Sequence, residues 1–275
     1  MDLVKLLCVG DVVGTTGRTM FQKHSGRLRE QYALDGIIVN GENSAHGKGI
    51  TSRIVHFFKH NGVDVITSGN HVWYHKEVYN YMRENTDLLR PANYPSGVPG
   101  VGVTTFTTAT GVKVGVINLQ GRVFMRDNLD CPFKTADSIL TYLKSKASII
   151  IVDFHAEATS EKQALGYFLD GRVSAVVGTH THIQTADERI LPGGTAYITD
   201  LGMVGSLNSM LGMKKEPIIE HFLTQMPTKF KVDFSQPLVL WGAVISCEPW
   251  SGKAVAIERV AIIDDTLVVE DDEKD

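Results

Sequence analysis

The chain is poor in cysteine. It has only 3 cysteines in 275 residues, too few and too widely spaced for a disulfide framework or a cysteine-bound zinc cluster. Their odd number favours a reducing compartment, so we expect a cytoplasmic protein. Cys8, Cys131 and Cys247 are each predicted to be buried thiols that pack like small apolar side chains.

Long apolar runs and a strong positive charge are also absent. No stretch approaches the roughly 20 apolar residues that a membrane-spanning helix needs, and residues 1–5 lack the pattern of a signal peptide. We therefore expect no membrane partner. The formal net charge of -4 disfavours long double-stranded nucleic acid as a partner and fits a small anionic substrate better.

What the chain does contain is a regular alternation of apolar, strand-like runs with helical segments. This alternation implies βαβ units and an α/β fold. The predicted strands cover residues 3–9, 37–40, 63–67, 148–152 and 173–177, and the predicted helices cover residues 18–32, 51–60, 75–84, 135–146 and 160–170.

The remaining segments predict a second kind of sheet. Residues 91–111 are rich in Gly, Pro and Thr and predict loops and short strands, whereas residues 238–270 predict antiparallel strands. Two sheets packed face to face and flanked by helices would accommodate both halves. We expect one domain over residues 1–270 and a solvated acidic tail over residues 271–275.

Two histidines one residue apart, His180 and His182, follow the apolar run at residues 173–177. Along an extended backbone, side chains two residues apart point to the same side, so both imidazoles can face one point beyond the strand. Metal sites are often built in this way. Two solvated loop histidines would give the same pattern, so the pair alone does not decide.

Four other strand-like runs end in the same manner, with small residues followed by side chains that can bind metal. Functional groups gather outside the carboxyl ends of strands in open α/β sheets, so five such ends could meet in one crevice. Each motif alone indicates only a turn. Together the carboxylates, amides and imidazoles suit two divalent ions such as manganese, iron or zinc. The residues are Asp11, Glu42, Asn43, Asn70, His71, His155, His180 and His182.

These motifs resemble those of the calcineurin-like metallophosphoesterase superfamily, and most closely its YmdB-like family. The similarity includes Gly-Asn-His at 69–71 and Gly-Thr-His-Thr-His at 178–182, and it extends through residues 41–44, 155–162, 169–172 and 199–203. Most of the superfamily has Asp-x-His after the first strand, where this chain has Asp11-Val12-Val13. The YmdB-like family shows the same replacement, with Asn43 in place of the missing histidine.

The resemblance implies a four-layer α/β/β/α sandwich and a dinuclear metal site. It places Asp11, Glu42, Asn43 and His182 around one ion, and Glu42, Asn70, His155 and His180 around the other. Two ions about 3.5–4 Å apart need a shared anionic ligand, which Glu42 can supply. The family suggests iron, although manganese or zinc would suit the same donors. A homo-oligomer is implied by the family alone.

The implied activity is hydrolysis of phosphodiesters, notably 2',3'-cyclic nucleotides such as 2',3'-cyclic AMP. A hydroxide held between the ions would attack phosphorus. His71 is predicted to be the general acid that protonates the departing alkoxide. The alternative for His71 is a group that only orients Asn70 or the phosphate.

Other polar residues near the motifs have open roles. Asp153 and Asp200 either accept hydrogen bonds from ligand imidazoles or serve as turn and cap residues. Arg122, Phe124 and Arg126, which follow an apolar run ending near Gln120, either contact the substrate or form a lid or oligomer contact.

Two functions from other classes remain as alternatives. A dinuclear hydrolase could attack an amide or another bond without phosphorus, because the same chemistry acts on carbonyl carbon. A regulatory module could instead use the metal ions to hold a nucleotide or RNA end without turning it over. Hydrolysis of phosphodiesters but not of an amide would separate these alternatives.

Overall fold

The sequence folds into alternating strands and helices, followed by a long antiparallel pair. The computed structural model describes residues 2–270. The predicted acidic tail, residues 271–275, lies outside the described residues, and the single domain over residues 1–270 stays a prediction.

Strands and helices follow one another along the chain in a defined order. The elements are β1 (Val4–Val12), α1 (Gly14–Tyr32), β2 (Gly36–Asn40), α2 (Ser52–His60), β3 (Val65–Thr67), α3 (Val78–Glu84), β4 (Val103–Thr107), β5 (Lys113–Gln120), α4 (Pro132–Leu143), β6 (Ile149–His155), α5 (Thr159–Leu169), β7 (Ala175–Thr179), β8 (Arg189–Ile190), β9 (Ala196–Ile198), β10 (Met203–Ser206), α6 (Lys215–Thr224), β11 (Leu238–Cys247) and β12 (Ala254–Asp264).

The strands form two mixed sheets of 6 strands each. The first has the order β12-β11-β10-β1-β2-β3, and β1 runs parallel to β2 and β10 but antiparallel to β11. The second has the order β4-β5-β6-β7-β9-β8, with β5, β6, β7 and β9 parallel. The carboxyl ends of the parallel strands in each sheet therefore lie at one edge of that sheet.

Three apolar layers show how the sheets and helices stack. Successive strand residues face opposite sides, so Cys8 of β1 packs between the sheets with side chains such as Ile151 of β6. Val9 faces the other way, toward Phe58 of α2. The outer face of the second sheet packs on α4 and α5. This stacking is the four-layer α/β/β/α sandwich, which confirms the predicted fold class.

The element boundaries differ from the prediction in places. Helix α4 begins at Pro132, before the predicted start at residue 135, because proline suits the first turn of a helix. Helix α3 begins at Val78, since residues 71–77 form turns. The antiparallel pair β11 and β12 confirms the prediction for the last segment. Helix α6 and strands β8, β9 and β10 were not predicted.

The cysteines differ from the prediction at one position. Cys8 and Cys247 are buried, but Cys131 is only half-buried, because it immediately precedes α4 near the surface. The prediction of three buried thiols was therefore wrong for Cys131. Among residues 2–270, none of the helices is both long and apolar enough to cross a bilayer.

Candidate functional site

The strand ends of both sheets bring the predicted site residues together. The first sheet supplies side chains at and after β1, β2 and β3, and the second supplies them at the ends of β6 and β7. Every one of the eight contacts at least one other member of the set. They are Asp11, Glu42, Asn43, Asn70, His71, His155, His180 and His182.

One group of donor atoms surrounds the imidazole of His155. His155 Nε2 lies 3.2 Å from Glu42 Oε1, 3.0 Å from Asn70 Oδ1 and 3.0 Å from His180 Nδ1. One ligand atom from each of Glu42, His155 and His180 falls within 4.8 Å of the others. Such a cluster of carboxylate oxygen, amide oxygen and imidazole nitrogens is suited to a divalent cation.

A second group of donor atoms surrounds the amide of Asn43. Asn43 Nδ2 lies 3.3 Å from Asp11 Oδ1, 3.3 Å from Glu42 Oε1 and 3.0 Å from His182 Nε2. His182 Nε2 is 3.7 Å from Asp11 Oδ1. Glu42 Oε1 therefore borders both groups of donor atoms.

The close packing of the site requires glycine at one position. A Cβ atom at Gly69 would lie 2.1 Å from His155 Cδ2. Any side chain there would displace the imidazole from Glu42 and Asn70. The glycine of the Gly-Asn-His motif thus allows Asn70 to approach His155.

The backbone of the His-x-His motif differs from the prediction. Strand β7 ends at Thr179, and His180 and His182 have φ values of 102° and 63°, so they are not extended. Their convergence depends on loop contacts instead: His180 N donates to Asp11 Oδ2 at 3.0 Å, and His182 Nδ1 lies 3.0 Å from Leu211 O. The predicted extended alternation of His180 and His182 was therefore wrong, because both residues lie in the loop after β7.

Asp200 stabilises this loop through hydrogen bonds to Thr181 rather than to a candidate ligand imidazole. Its Oδ2 accepts from Thr181 N at 3.1 Å and Thr181 Oγ1 at 2.8 Å, between the two histidines. The same oxygen pairs with Lys162 Nζ at 2.6 Å, and both side chains are buried. The suggested direct contact of Asp200 with an imidazole is therefore absent among the described residues.

The hydroxyl group of Thr179 connects Asp153 to His155. It accepts from Thr179 Oγ1 at 2.8 Å and from Thr67 Oγ1, while Thr179 Oγ1 lies 3.0 Å from His155 Nδ1. Sequence reasoning named Asp153 but missed Thr179. The missed residue occupies the position before His180 within the recognised motif, which was an available signal.

Glu157 is another contact that was not predicted. Its Oε2 lies 3.1 Å from His180 Nε2, so the carboxylate orients the ring with Nδ1 toward His155. A carboxylate beside the second nitrogen of a ligand histidine fixes the ring and its tautomer. Glu157 lies two residues after His155, within the matching segment 155–162, which was an available sequence signal. Leu211 contributes a backbone carbonyl, which has no sequence signal.

The pKa values of His155 and His180 are shifted in opposite directions. Burial alone would lower the pKa of His155, but Glu42, Asp11 and Asp153 raise it to about 9. Burial and the positive charge of His155 lower the pKa of His180 to about 3. His180 is thus neutral across the physiological range, whereas metal-free His155 is positively charged.

Burial and the neighbouring histidines also shift the pKa values of the carboxylates Glu42 and Asp11. Burial alone would raise the pKa of Glu42, but His155 and His71 hold it well below its usual range. Burial raises the pKa of Asp11 despite the opposing charges of His182 and His155. Glu42 is therefore the carboxylate of the site whose pKa its neighbours hold low.

Several known proteins are similar to this chain over nearly its full length. A Bacillus subtilis (strain 168) protein named 2',3'-cyclic-nucleotide 2'-phosphodiesterase is 49% identical over 267 residues, covering 97% of this chain and 100% of the relative. A crystal structure described as a novel phosphatase from Mycoplasma pneumoniae has TM-score 0.89 and 35% identity, covering 96% of this chain and 95% of that one. A hypothetical protein from Thermus thermophilus has TM-score 0.88 and 39% identity, covering 95% of this chain and 100% of that one.

The sandwich fold, the clustered candidate ligands at its strand ends and these relatives define the class of protein. It is a metallophosphoesterase, an enzyme that hydrolyses phosphoric esters. The description of the family narrows the class further. The chain belongs to the YmdB-like protein family, whose model matches residues 7–260.

Proposed function

We propose that the protein is a two-metal phosphodiesterase that acts on small nucleotides such as 2',3'-cyclic AMP. The observation that carries the proposal is that Glu42 Oε1 contacts both groups of donor atoms, at 3.2 Å from His155 Nε2 and 3.3 Å from Asn43 Nδ2. The name of the Bacillus subtilis relative supports the choice of substrate.

The donor groups divide into two ligand sets. Asp11, Glu42, Asn43 and His182 would hold one ion, and Glu42, Asn70, His155 and His180 would hold the other. Bound divalent ions supply an activated water nucleophile and neutralise charge on the phosphoryl oxygens. The oxygen and nitrogen donors suit iron, manganese or zinc, and the family resemblance favours iron.

His71 would donate a proton to the leaving group. His71 N donates to Glu42 Oε2 at 3.1 Å, and its Nδ1 lies 2.7 Å from Asn43 Oδ1. Its Nε2 has no hydrogen-bond partner among residues 2–270 and is available to a substrate. A ribose oxygen leaves poorly as an alkoxide, so general acid catalysis by this imidazole would assist its departure.

Asn43 links the metal site to His71. To bind a cation through oxygen, its amide has to turn by half a rotation, because Nδ2 faces Asp11 and His182. Nδ2 would then donate to His71 Nδ1. A neutral His71 would consequently carry its proton on Nε2, the atom available to the leaving group.

The test is hydrolysis by protein of known metal content. Metal-loaded protein should hydrolyse 2',3'-cyclic AMP and bis-p-nitrophenyl phosphate but not a p-nitroanilide amide, and chelation should abolish this activity. Glu42→Gln, which removes the shared anion, should lower both metal content and turnover. Turnover of the amide would instead support the hydrolase of a non-phosphate bond, and tight nucleotide binding without turnover would support the regulatory module.

A further inference from the structure

A loop with a highly exposed aromatic side chain begins beside the candidate metal ligands. Residues 121–127 follow β5, and we call this segment the β5 loop. Phe124 is 85% exposed and has a φ of 63°. This left-handed region is unfavourable for a bulky side chain. The ring is not packed in the core, so packing does not account for its exposure or its strained backbone. Strained backbone often marks functional sites.

The β5 loop starts directly at the candidate site. Gln120, the last residue of β5, lies opposite His155 in the sheet register, and Gly121 N donates to His155 O at 2.9 Å. Phe124 is three residues beyond Gly121, so their Cα atoms lie at most about 11 Å apart. One nucleotide can bridge such a distance between its phosphate and its base.

Both ends of the loop are fixed. The buried carboxylate of Glu161 accepts from Arg122 N and Val123 N, each at 3.1 Å. At the other end, Gln120 Nε2 donates to Asp127 Oδ2 at 2.9 Å. The tip is therefore held in place before any ligand arrives, which reduces the entropy lost on binding.

Two arginines flank Phe124 in the sequence. Arg122 and Arg126 are both exposed, and neither guanidinium has a hydrogen-bond or ion-pair partner among residues 2–270. Guanidinium groups bind phosphate oxygens well. Aromatic side chains that stack on bases, combined with basic groups for the backbone, are the usual means of binding single-stranded nucleic acid.

We propose that the β5 loop recognises the nucleoside part of the substrate, with Phe124 stacking on the base while Arg122 and Arg126 attract the phosphate. This inference rests on the proposed phosphodiesterase function. It assigns the enzyme to substrates that carry a nucleobase, in preference to simple phosphodiesters. Stacking is tolerant of base identity because every base has an aromatic face, so the preference extends to all four bases.

The test compares two cyclic esters that differ only in the base. 2',3'-Cyclic AMP has one, and the 2',3'-cyclic phosphate of methyl riboside has the same reacting ester without it. Phe124→Ala should lower the ratio of their kcat/KM values about 5- to 150-fold, the range expected for loss of one stacked base. Phe124→Trp should retain the preference. Phe222→Ala, which removes a ring that is 70% exposed on α6, is the matched control.

A ratio for Phe124→Ala equal to that of the unaltered protein would overturn the inference. Failure of the unaltered protein to hydrolyse either ester would instead contradict the proposed function. In that case, calorimetric titration with AMP tests the loop without turnover. Weaker AMP binding by Phe124→Ala than by Phe222→Ala would support base recognition, and equal binding would overturn it.

Discussion

His71 differs from its neighbours in the cluster because one of its ring nitrogens has no partner among the described residues. Removing it should leave the candidate metal ligands intact but remove the proton donor. We expect His71→Ala to retain metal and to lose about 10²- to 10⁴-fold in kcat for 2',3'-cyclic AMP. Metal analysis of the variant together with steady-state kinetics would check both parts.

The nature of the leaving group separates proton donation from a positioning role. p-Nitrophenolate departs without a proton, so the loss in His71→Ala should be much smaller for bis-p-nitrophenyl phosphate. His75→Ala is a suitable control, because that imidazole lies 3.0 Å from Lys48 O rather than in the site. Equal losses with both substrates would assign His71 a positioning role instead.

His155 should make metal binding depend on pH over an unusual range. For an ordinary imidazole, a proton competes with the metal ion only below about pH 6.5. Because Glu42 and other carboxylates raise the pKa of metal-free His155 to about 9, a proton competes with the metal ion up to that pH. We expect apparent affinity to increase about tenfold per pH unit between 7 and 9 and then to level off.

Calorimetry of metal binding in buffers with different ionisation enthalpies measures the released protons directly. His180, whose pKa is lowered to about 3, should contribute none above pH 5. About one proton per protein at pH 7 is therefore expected. An affinity that levels off near pH 6.5, with no proton released at pH 7.5, would contradict the assigned charge of His155.

At the scale of elements, a buried ion pair connects α5 to the loop that carries His180 and His182. Lys162 Nζ lies 2.6 Å from Asp200 Oδ2, and Asp200 also accepts two hydrogen bonds from Thr181. Lys162→Met would leave a buried carboxylate without a counter-charge. We expect it to reduce the free energy of unfolding by about 3–5 kcal/mol, measured by urea denaturation.

A second substitution tests the cause of that loss. Asp200→Asn in the Lys162→Met background removes the uncompensated charge, so the double variant should be more stable than Lys162→Met alone. Lys144→Met, which alters an exposed lysine at the end of α4, should change stability by less than about 0.5 kcal/mol. A double variant less stable than the single one would argue against charge burial as the cause.

Some helices and strands can be predicted from the sequence, and others cannot. Strands β1, β2, β6 and β7 are continuous apolar runs buried on both faces, and their ends are marked by small and polar residues. In α6, by contrast, Phe222 and Leu223 are 70% and 80% exposed. Its apolar residues do not mark a face turned to the core, so hydrophobic periodicity gave no reliable signal.

At the scale of the whole molecule, the site combines the two sheets. Asp11 and Glu42 come from the first sheet, whereas His155, His180 and His182 come from the second. The rule that functional groups gather at the carboxyl ends of strands predicted their convergence. It could not predict that β10 enters between β1 and β11, or that loops rather than strand alternation orient the histidines. Such features depend on contacts between distant parts of the chain.

Metal removal should therefore loosen the contact between the sheets. An ion at 100 times its dissociation constant stabilises the folded state by about 2.7 kcal/mol, so chelation should lower Tm by roughly 5 °C or more per ion. The difference should also increase with pH. The raised pKa of His155 stabilises the metal-free fold fully below pH 6.5, and this contribution is lost as pH rises through about 9.

Thermal unfolding with and without chelator at pH 6.5 and pH 9 would measure both effects. Glu42→Gln is the control, because it lacks the anion that both ligand sets share and should respond little to the chelator. Between pH 6.5 and pH 9, metal affinity increases while the metal-free protein loses the stabilisation from His155. Both changes therefore increase the difference in Tm between metal-loaded and metal-free protein. An equal decrease in Tm at both pH values, with metal content confirmed before and after chelation, would mean that His155 carries no proton in the metal-free protein.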